Sequence, residues 1–429
     1  MYTVLKNASY LDVRSGIYHT NKSIIINGDR IEKIADAAVA DDDLVDASII
    51  DCRGLHLLPG LIDAHVHTTA ITPDFAELEI SSPFYVAIKS SEILSEMLQR
   101  GFTTVRDAGG ADYGLAAATL ENPAIGPEIL FCGKALSQTG GHGDVRTKGR
   151  REFEGCFCCA GLGIVVDGVT EVRRAARDEI RKGATQIKIM ASGGVSSPTD
   201  RIDSTQFSIE EIRAIVAEAE AANIYCMAHA YTARAIKRLL QNGVRTIEHG
   251  NLLDEECCDL FVETGAYLVP TLITYQALAN EGVASGLPAS MEEKIYTVLE
   301  AGNSALKMAY DKGVKMLYGS DLLGTMQRHQ LQEFSIRSKV VSNIDLIRQA
   351  TVNAAECFGR VGDIGEILEG GLANIIAYQH DPLEDITVLV NPDDSLKLIV
   401  NRGVTVKHLI KAGLAKPQTL THPATNSNP

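Results

Sequence analysis

The 429-residue chain has no run of lysine and arginine, and its 40 basic residues are outnumbered by 55 acidic ones, for a net charge of −15. Nucleic acid and anionic membrane surfaces are therefore excluded as expected partners. It also lacks any apolar stretch near the roughly 20 residues a membrane helix requires. Its first residues, Met1-Tyr2-Thr3-Val4-Leu5-Lys6-Asn7, carry no basic-then-apolar leader pattern. A disulfide framework is missing as well: nine cysteines are an odd number and are scattered, which suits reduced thiols in a cytoplasm. Cys156-Phe157-Cys158-Cys159 is a cysteine cluster without a second pair to complete a four-ligand zinc knuckle. What remains is a soluble globular protein whose 45% hydrophobic residues supply a substantial core.

The two ends of the chain read as β. Ser23-Ile24-Ile25-Ile26 runs into Asn27-Gly28-Asp29 and then the alternating Arg30-Ile31-Glu32-Lys33-Ile34, a hairpin signal. Ala373-Asn374-Ile375-Ile376-Ala377-Tyr378 and Leu396-Lys397-Leu398-Ile399-Val400 are strand-like, and Asn401-Arg402-Gly403 turns into Val404-Thr405-Val406. Each block is too small for its own core, so the two are expected to pair. Between them, short apolar strands are read at 60–64, 103–107, 128–132, 186–190, 224–228, 246–248, 267–269 and 314–318. Amphipathic helices fill the gaps, including 169–182, 293–312 and 343–350, and a capping box opens at Ser208. Eight such strands alternating with helices predict an α/β fold: a (β/α)8 TIM-like barrel with a small β-sandwich domain formed by both chain ends. The expected division is 1–56 and 363–412 for the sandwich, 57–362 for the barrel and 413–429 for a flexible tail.

In such a barrel, chemistry gathers at the carboxyl ends of the strands. The first strand ends in Asp63-Ala64-His65-Val66-His67, and residues i and i+2 share a face, so both imidazoles can address one ion. The fourth reads Gln186-Ile187-Lys188-Ile189-Met190. A lysine buried in an apolar strand must reach solvent, act as a Schiff-base amine of depressed pKa, or be carboxylated by CO₂ to a carbamate. The fifth, sixth and eighth strands deliver His229, His249 and Asp321. Four histidines, a lysine and an aspartate at strand ends point to Zn²⁺ or a similar ion.

Pro59-Gly60-Leu61-Ile62-Asp63-Ala64-His65-Val66-His67 resembles the first-strand signature of the amidohydrolase superfamily, and Lys188, His229, His249 and Asp321 fall in that family's ligand order. The resemblance spans nearly the whole chain. The stretch 169–194 and Thr139-Gly140-Gly141-His142-Gly143-Asp144 are similar to the imidazolonepropionase-related branch that contains prolidases, the Xaa-Pro dipeptidases. The resemblance implies a binuclear centre of two divalent ions, most simply Zn²⁺. His65, His67 and Asp321 would hold one, His229 and His249 the other, and carboxylated Lys188 would bridge them. It further implies hydrolysis of an amide next to a carboxylate, with Asp321 passing a proton from the attacking water to the leaving nitrogen.

His142, Tyr231 and Arg328 are the remaining candidates. His142 would donate to the oxyanion, Tyr231 would bond the substrate carbonyl or carboxylate, and Arg328 would pair a substrate carboxylate. Ser196 and Ser197 read as turn formers, since no Ser–His–acid arrangement is legible. His19, His56 and His329 read as structural. The expected substrate is a dipeptide of Xaa-Pro type, with N-acyl amino acids, including ochratoxin-like amides, close behind. Cyclic-amide hydrolysis, a Schiff-base lyase using Lys188 and a non-catalytic scaffold are the other readings. The segment 146–163 is either a flap, a packed connection or a subunit contact, and a homo-oligomer is expected.

Overall fold

The computed structural model describes residues 2–36, 47–146, 148–149, 160–197, 199–287 and 291–410. Near the N-terminus, strand Ile17–Asn27 pairs antiparallel with Arg30–Asp36, Asn27 facing Arg30. The two-residue turn is thus Gly28-Asp29, one residue beyond the Asn-Gly expected to form it. Gly28, at φ +60°, supplies the left-handed first position that such a turn requires. Strands from both chain ends join in one eight-stranded sheet. The parallel pairing of Tyr2–Asp12 with His56–Pro59 and the antiparallel pairing of His56–Pro59 with Ile375–Tyr378 tie them together. Leu5, Ile24, Ile26, Leu57, Ile375 and Leu398 pack from these strands into a core of their own.

The middle of the chain forms parallel sheet. Leu61–Val66, Phe102–Asp107 and Glu128–Phe131 make a three-stranded sheet. Gly163–Val165, Ala135–Ser137, Gln186–Met190, Tyr225–Thr232, Thr246–Leu252, Tyr267–Val269 and Lys315–Met316 make a seven-stranded one. Backbone hydrogen bonds bridge the two sheets at both edges: Thr185 N to Phe131 O at 2.9 Å, and Ala64 N to Tyr318 O at 2.8 Å. All eight expected strands are present. The short Ala135–Ser137 and Gly163–Val165 pair escaped the sequence reading because three residues carry no period.

Burial on both faces explains why these strands are continuous apolar runs rather than alternating ones. In Gln186–Met190 every residue is buried: Ile187 and Ile189 pack outward among Ile212, Ile215 and Ile236 of the helices, leaving Lys188 to face inward. Helix Gly168–Lys182 buries Val172 and Ala176 and stops at Gly183, φ +97°, a left-handed cap. Helix Ile209–Ala221 starts at the expected capping box, with Ser208 Oγ accepting from Glu211 N and Glu211 Oε2 accepting from Ser208 N. Six described cysteines (52, 132, 226, 257, 258 and 357) are buried and unpaired, as the scattered spacing implied. Cys156, Cys158 and Cys159, most of the segment 146–163 and the tail beyond 410 lie outside the described residues.

Candidate metal centre

Six of the nine candidate residues are donors lining one cavity of about 720 Å³: His65, His67, Lys188, His229, His249 and Asp321. His142 and Tyr231 line it too. Arg328 is not brought to it. That side chain is half exposed, donating to Thr325 O at 2.7 Å and pairing with Glu281, which also takes His329 Nε2 at 2.6 Å. Here the guanidinium is paired with a surface carboxylate and does not line the cavity.

The tightest part of the site is His65, His67 and Asp321, whose donor atoms lie within 4.8 Å of one another. Asp321 Oδ1 stands 3.3 Å from the Nε2 atoms of both histidines. Each imidazole is aimed by its other nitrogen. His65 Nδ1 contacts Glu248 Oε2 at 2.6 Å, and His67 Nδ1 contacts the Gly109 carbonyl at 2.9 Å. These partners fix Nδ1 as the protonated atom and present the Nε2 lone pairs to one point, as metal ligation needs. His249 Nδ1 is held by Thr271 Oγ1 at 2.8 Å, leaving Nε2 for the cavity. For His229 the arrangement is reversed: Nε2 meets Gly193 O at 3.1 Å, so Nδ1 is its free donor.

Backbone strain concentrates here. His249, Thr271 and Asp321 have φ of +76°, +45° and +52°, conformations costing roughly 1–3 kcal/mol each for non-glycine residues. The buried surroundings over-determine them. Lys188 is 1% exposed, and burial lowers its pKa, against the pull of Glu248 and Asp321. A neutral amine is the form that captures CO₂. Burial likewise lowers His229 and His249, favouring the unprotonated rings that bind metal. Burial alone would raise Asp321, yet His65, His67 and His249 hold it well below the usual carboxylate range. Three oriented imidazoles with a carboxylate, a fourth imidazole and a buried amine are a donor set that fits divalent metal.

Several functional residues were not read from the sequence. Glu248 is fully buried, and Arg106 Nη2 donates to both its oxygens at 3.0 and 3.2 Å, with Thr246 Oγ1 donating at 2.5 Å. Burial would raise Glu248, but Arg106 and His65 bring it down to about 2. Arg106 stands mid-strand in Phe-Thr-Thr-Val-Arg-Asp, and the argument that singled out Lys188 applies equally to it. Tyr275 also lines the cavity, its buried hydroxyl next to those of Tyr231 and Thr271; no sequence pattern marks it. Ser197, read as a turn former, does bond the Gly194 carbonyl at 3.3 Å and has a second set of contacts. It sits between His142 Nδ1, at 2.9 Å, and the carboxylate of Asp200, a His–Ser–acid chain with serine in the middle and so not the arrangement of a serine nucleophile. Sequence spacing hid it because His142 is 55 residues upstream on another loop.

The amidohydrolase family model matches residues 56–407, which includes every donor just described. The chain belongs to the amidohydrolase family and is a hydrolase acting on amide bonds. Among individual relatives, ochratoxinase of Aspergillus niger is 33% identical over 351 residues, covering 78% of this chain and 72% of that protein. A solved prolidase in complex with N-methylphosphonate-L-proline superimposes with a TM-score of 0.91 and 48% identity, covering 95% of this chain and 100% of its own. A Xaa-Pro dipeptidase with methionine bound in its active site gives 0.83 and 28%, over 95% and 100% of the two chains.

Proposed function

We propose that this protein is a binuclear metal-dependent dipeptidase of prolidase type, cleaving the bond between an amino acid and a C-terminal proline. The observation that carries the reading is the convergence of six donor side chains, each imidazole fixed by a partner on its other nitrogen, in one cavity of about 720 Å³. The 48% identity to the prolidase complexed with a proline phosphonate favours proline as the leaving group. His65, His67 and Asp321 would hold one ion, His229 and His249 the second, and carboxylated Lys188 would bridge them, with zinc suiting the mix of nitrogen and oxygen donors. The edge hydrogen bonds between the two parallel sheets support a closed (β/α)8 barrel over 57–362, flanked by a sandwich built from 1–56 and 363–412.

Bound there, the two ions would supply Lewis acidity and a water acidified toward neutral pH. Asp321 Oδ1, near both His65 and His67, is placed to accept the water's proton as its oxygen adds to the carbonyl carbon. Delivered to the nitrogen, that same proton lets the C–N bond break to a neutral amine, which an amide requires. Tyr231, edge-on to His229 at 4.8 Å, offers a hydroxyl on the cavity wall for the substrate carboxylate, joined by Tyr275. With Arg328 elsewhere, these hydroxyls take over its expected part.

Hydrolysis of N-acyl amino acids is the second reading, favoured by the ochratoxinase relationship and by the apolar wall of Phe75, Leu162, Val195, Leu278 and Leu323. The zinc-loaded protein assayed against a dipeptide library and a set of N-acyl amino acids decides between them. Release of proline from Xaa-Pro substrates is expected. Turnover confined to the acylated set would replace the first reading with the second.

A further inference from the structure

His142 lies on the loop after Ala135–Ser137, its ring stacked on His229 at 4.3 Å and 23°. Its Nδ1 is 2.9 Å from Ser197 Oγ, and Ser197 Oγ is in short contact with Asp200 Oδ1. Asp200 is 9% exposed and has its other oxygen occupied: Oδ2 accepts from Gly194 N at 3.1 Å and from Gln206 Nε2 at 3.0 Å. A carboxylate so surrounded by donors is an acceptor toward Ser197. The serine hydroxyl has one proton, and Asp200 takes it, the Gly194 carbonyl being farther away at 3.3 Å. Ser197 Oγ can then only accept from the imidazole. His142 then carries a proton on Nδ1, and Nε2 has no hydrogen-bond partner among the described residues on the cavity that the ring lines.

Two further features hold the geometry. Gln206 Oε1 accepts from His142 N at 2.9 Å, tying the two loops together. Lys294, on helix Glu292–Asp311, donates to three carbonyls of the serine loop: Gly194 at 3.2 Å, Ser197 at 3.0 Å and Asp200 at 2.7 Å. Gly194 has no Cβ because one there would overlap the His142 ring.

We propose that Asp200 and Ser197 form a relay that fixes the His142 proton on Nδ1 and turns Nε2 to the substrate, making both positioning residues for the reaction. Held this way, His142 keeps its Nδ1 engaged with Ser197 and turns Nε2 to the substrate, as an acceptor when the ring is neutral and as the expected donor to the oxyanion when it is an imidazolium. The relay rests on the amide-hydrolase reading for its kinetic consequence alone, since the tautomer is measurable without turnover.

The test uses full-length zinc-loaded protein with ¹⁵N-labelled histidine, as wild type, Ser197→Ala and Ser197→Thr. The His142 resonances, assigned by their loss in His142→Gln, are expected to report Nδ1–H in wild type and Ser197→Thr. A shifted tautomer balance is expected in Ser197→Ala. On a Xaa-Pro substrate, kcat of Ser197→Ala should fall at least about tenfold, a part of the roughly 10²–10⁴ that a positioned proton-transfer group supplies in full. KM should move less, metal content should not change, and Ser197→Thr should recover most of the loss. Asp200→Asn should reproduce the tautomer change. An Nε2–H tautomer in the wild type, or an unchanged tautomer in both variants, would overturn the relay. If no dipeptide is turned over, the dipeptidase reading fails while the tautomer still decides the relay.

Discussion

At the scale of single residues, the most consequential side chain is Lys188. Burial lowers the pKa of its amine, and it lines the same cavity as both sets of imidazoles, where the proposed carbamate would bridge them. Lys188→Ala should lower the metal content from two ions per chain to one, with activity down roughly a hundredfold or more. Atomic emission on dialysed protein reads the first and a substrate assay the second; two retained ions would remove lysine from the site. Arg106 tests the support beneath. It is fully buried against Glu248, donates through Nε to Ala64 O at 2.7 Å and lies over the Phe358 ring at 5.4 Å. Arg106→Met leaves a buried carboxylate unpaired, for a loss of about 3–5 kcal/mol in urea unfolding. A loss under about 1 kcal/mol would mean that Glu248 takes up a proton instead and that the pair contributes little.

At the scale of elements, sequence pattern identified the strands because parallel strands buried on both faces are unbroken apolar runs, and a polar residue inside one is conspicuous. That is how Lys188, His229, His249 and Asp321 became visible. The support around them was less legible. Glu248 sits beside His249 and was passed over for its neighbour, while the Asp200–Ser197–His142 contact joins loops whose meeting depends on tertiary packing. Arg328 went the other way: position after the eighth strand suggested the cavity, but Glu281 holds it at the surface. The loop carrying Gly194 is where element geometry meets chemistry. Gly194→Ala should displace the His142 ring and lower kcat at least about tenfold without altering metal content, since a well-packed site gives way only by moving side chains off their positions. Ser208→Ala is the comparison: loss of that N-cap should cost about 1 kcal/mol of stability and leave kcat unchanged.

At the scale of the whole molecule, strands from both parallel sheets and their loops contribute to one cavity, so a metal bound there would be linked to folding. No helix among the described residues is long and apolar enough to cross a membrane. Free zinc at 100 times its dissociation constant should stabilise the protein by about 2.7 kcal/mol, and chelation should lower Tm accordingly. A Tm indifferent to chelator would place the ions elsewhere.

The most direct measurement of the central claim is a zinc-edge anomalous difference map from crystals grown with zinc and bicarbonate. The account predicts two peaks in the cavity, one among His65, His67 and Asp321 and one beside His229 and His249, with branched density extending from Lys188 Nζ between them. A single peak with an unmodified lysine would contradict it.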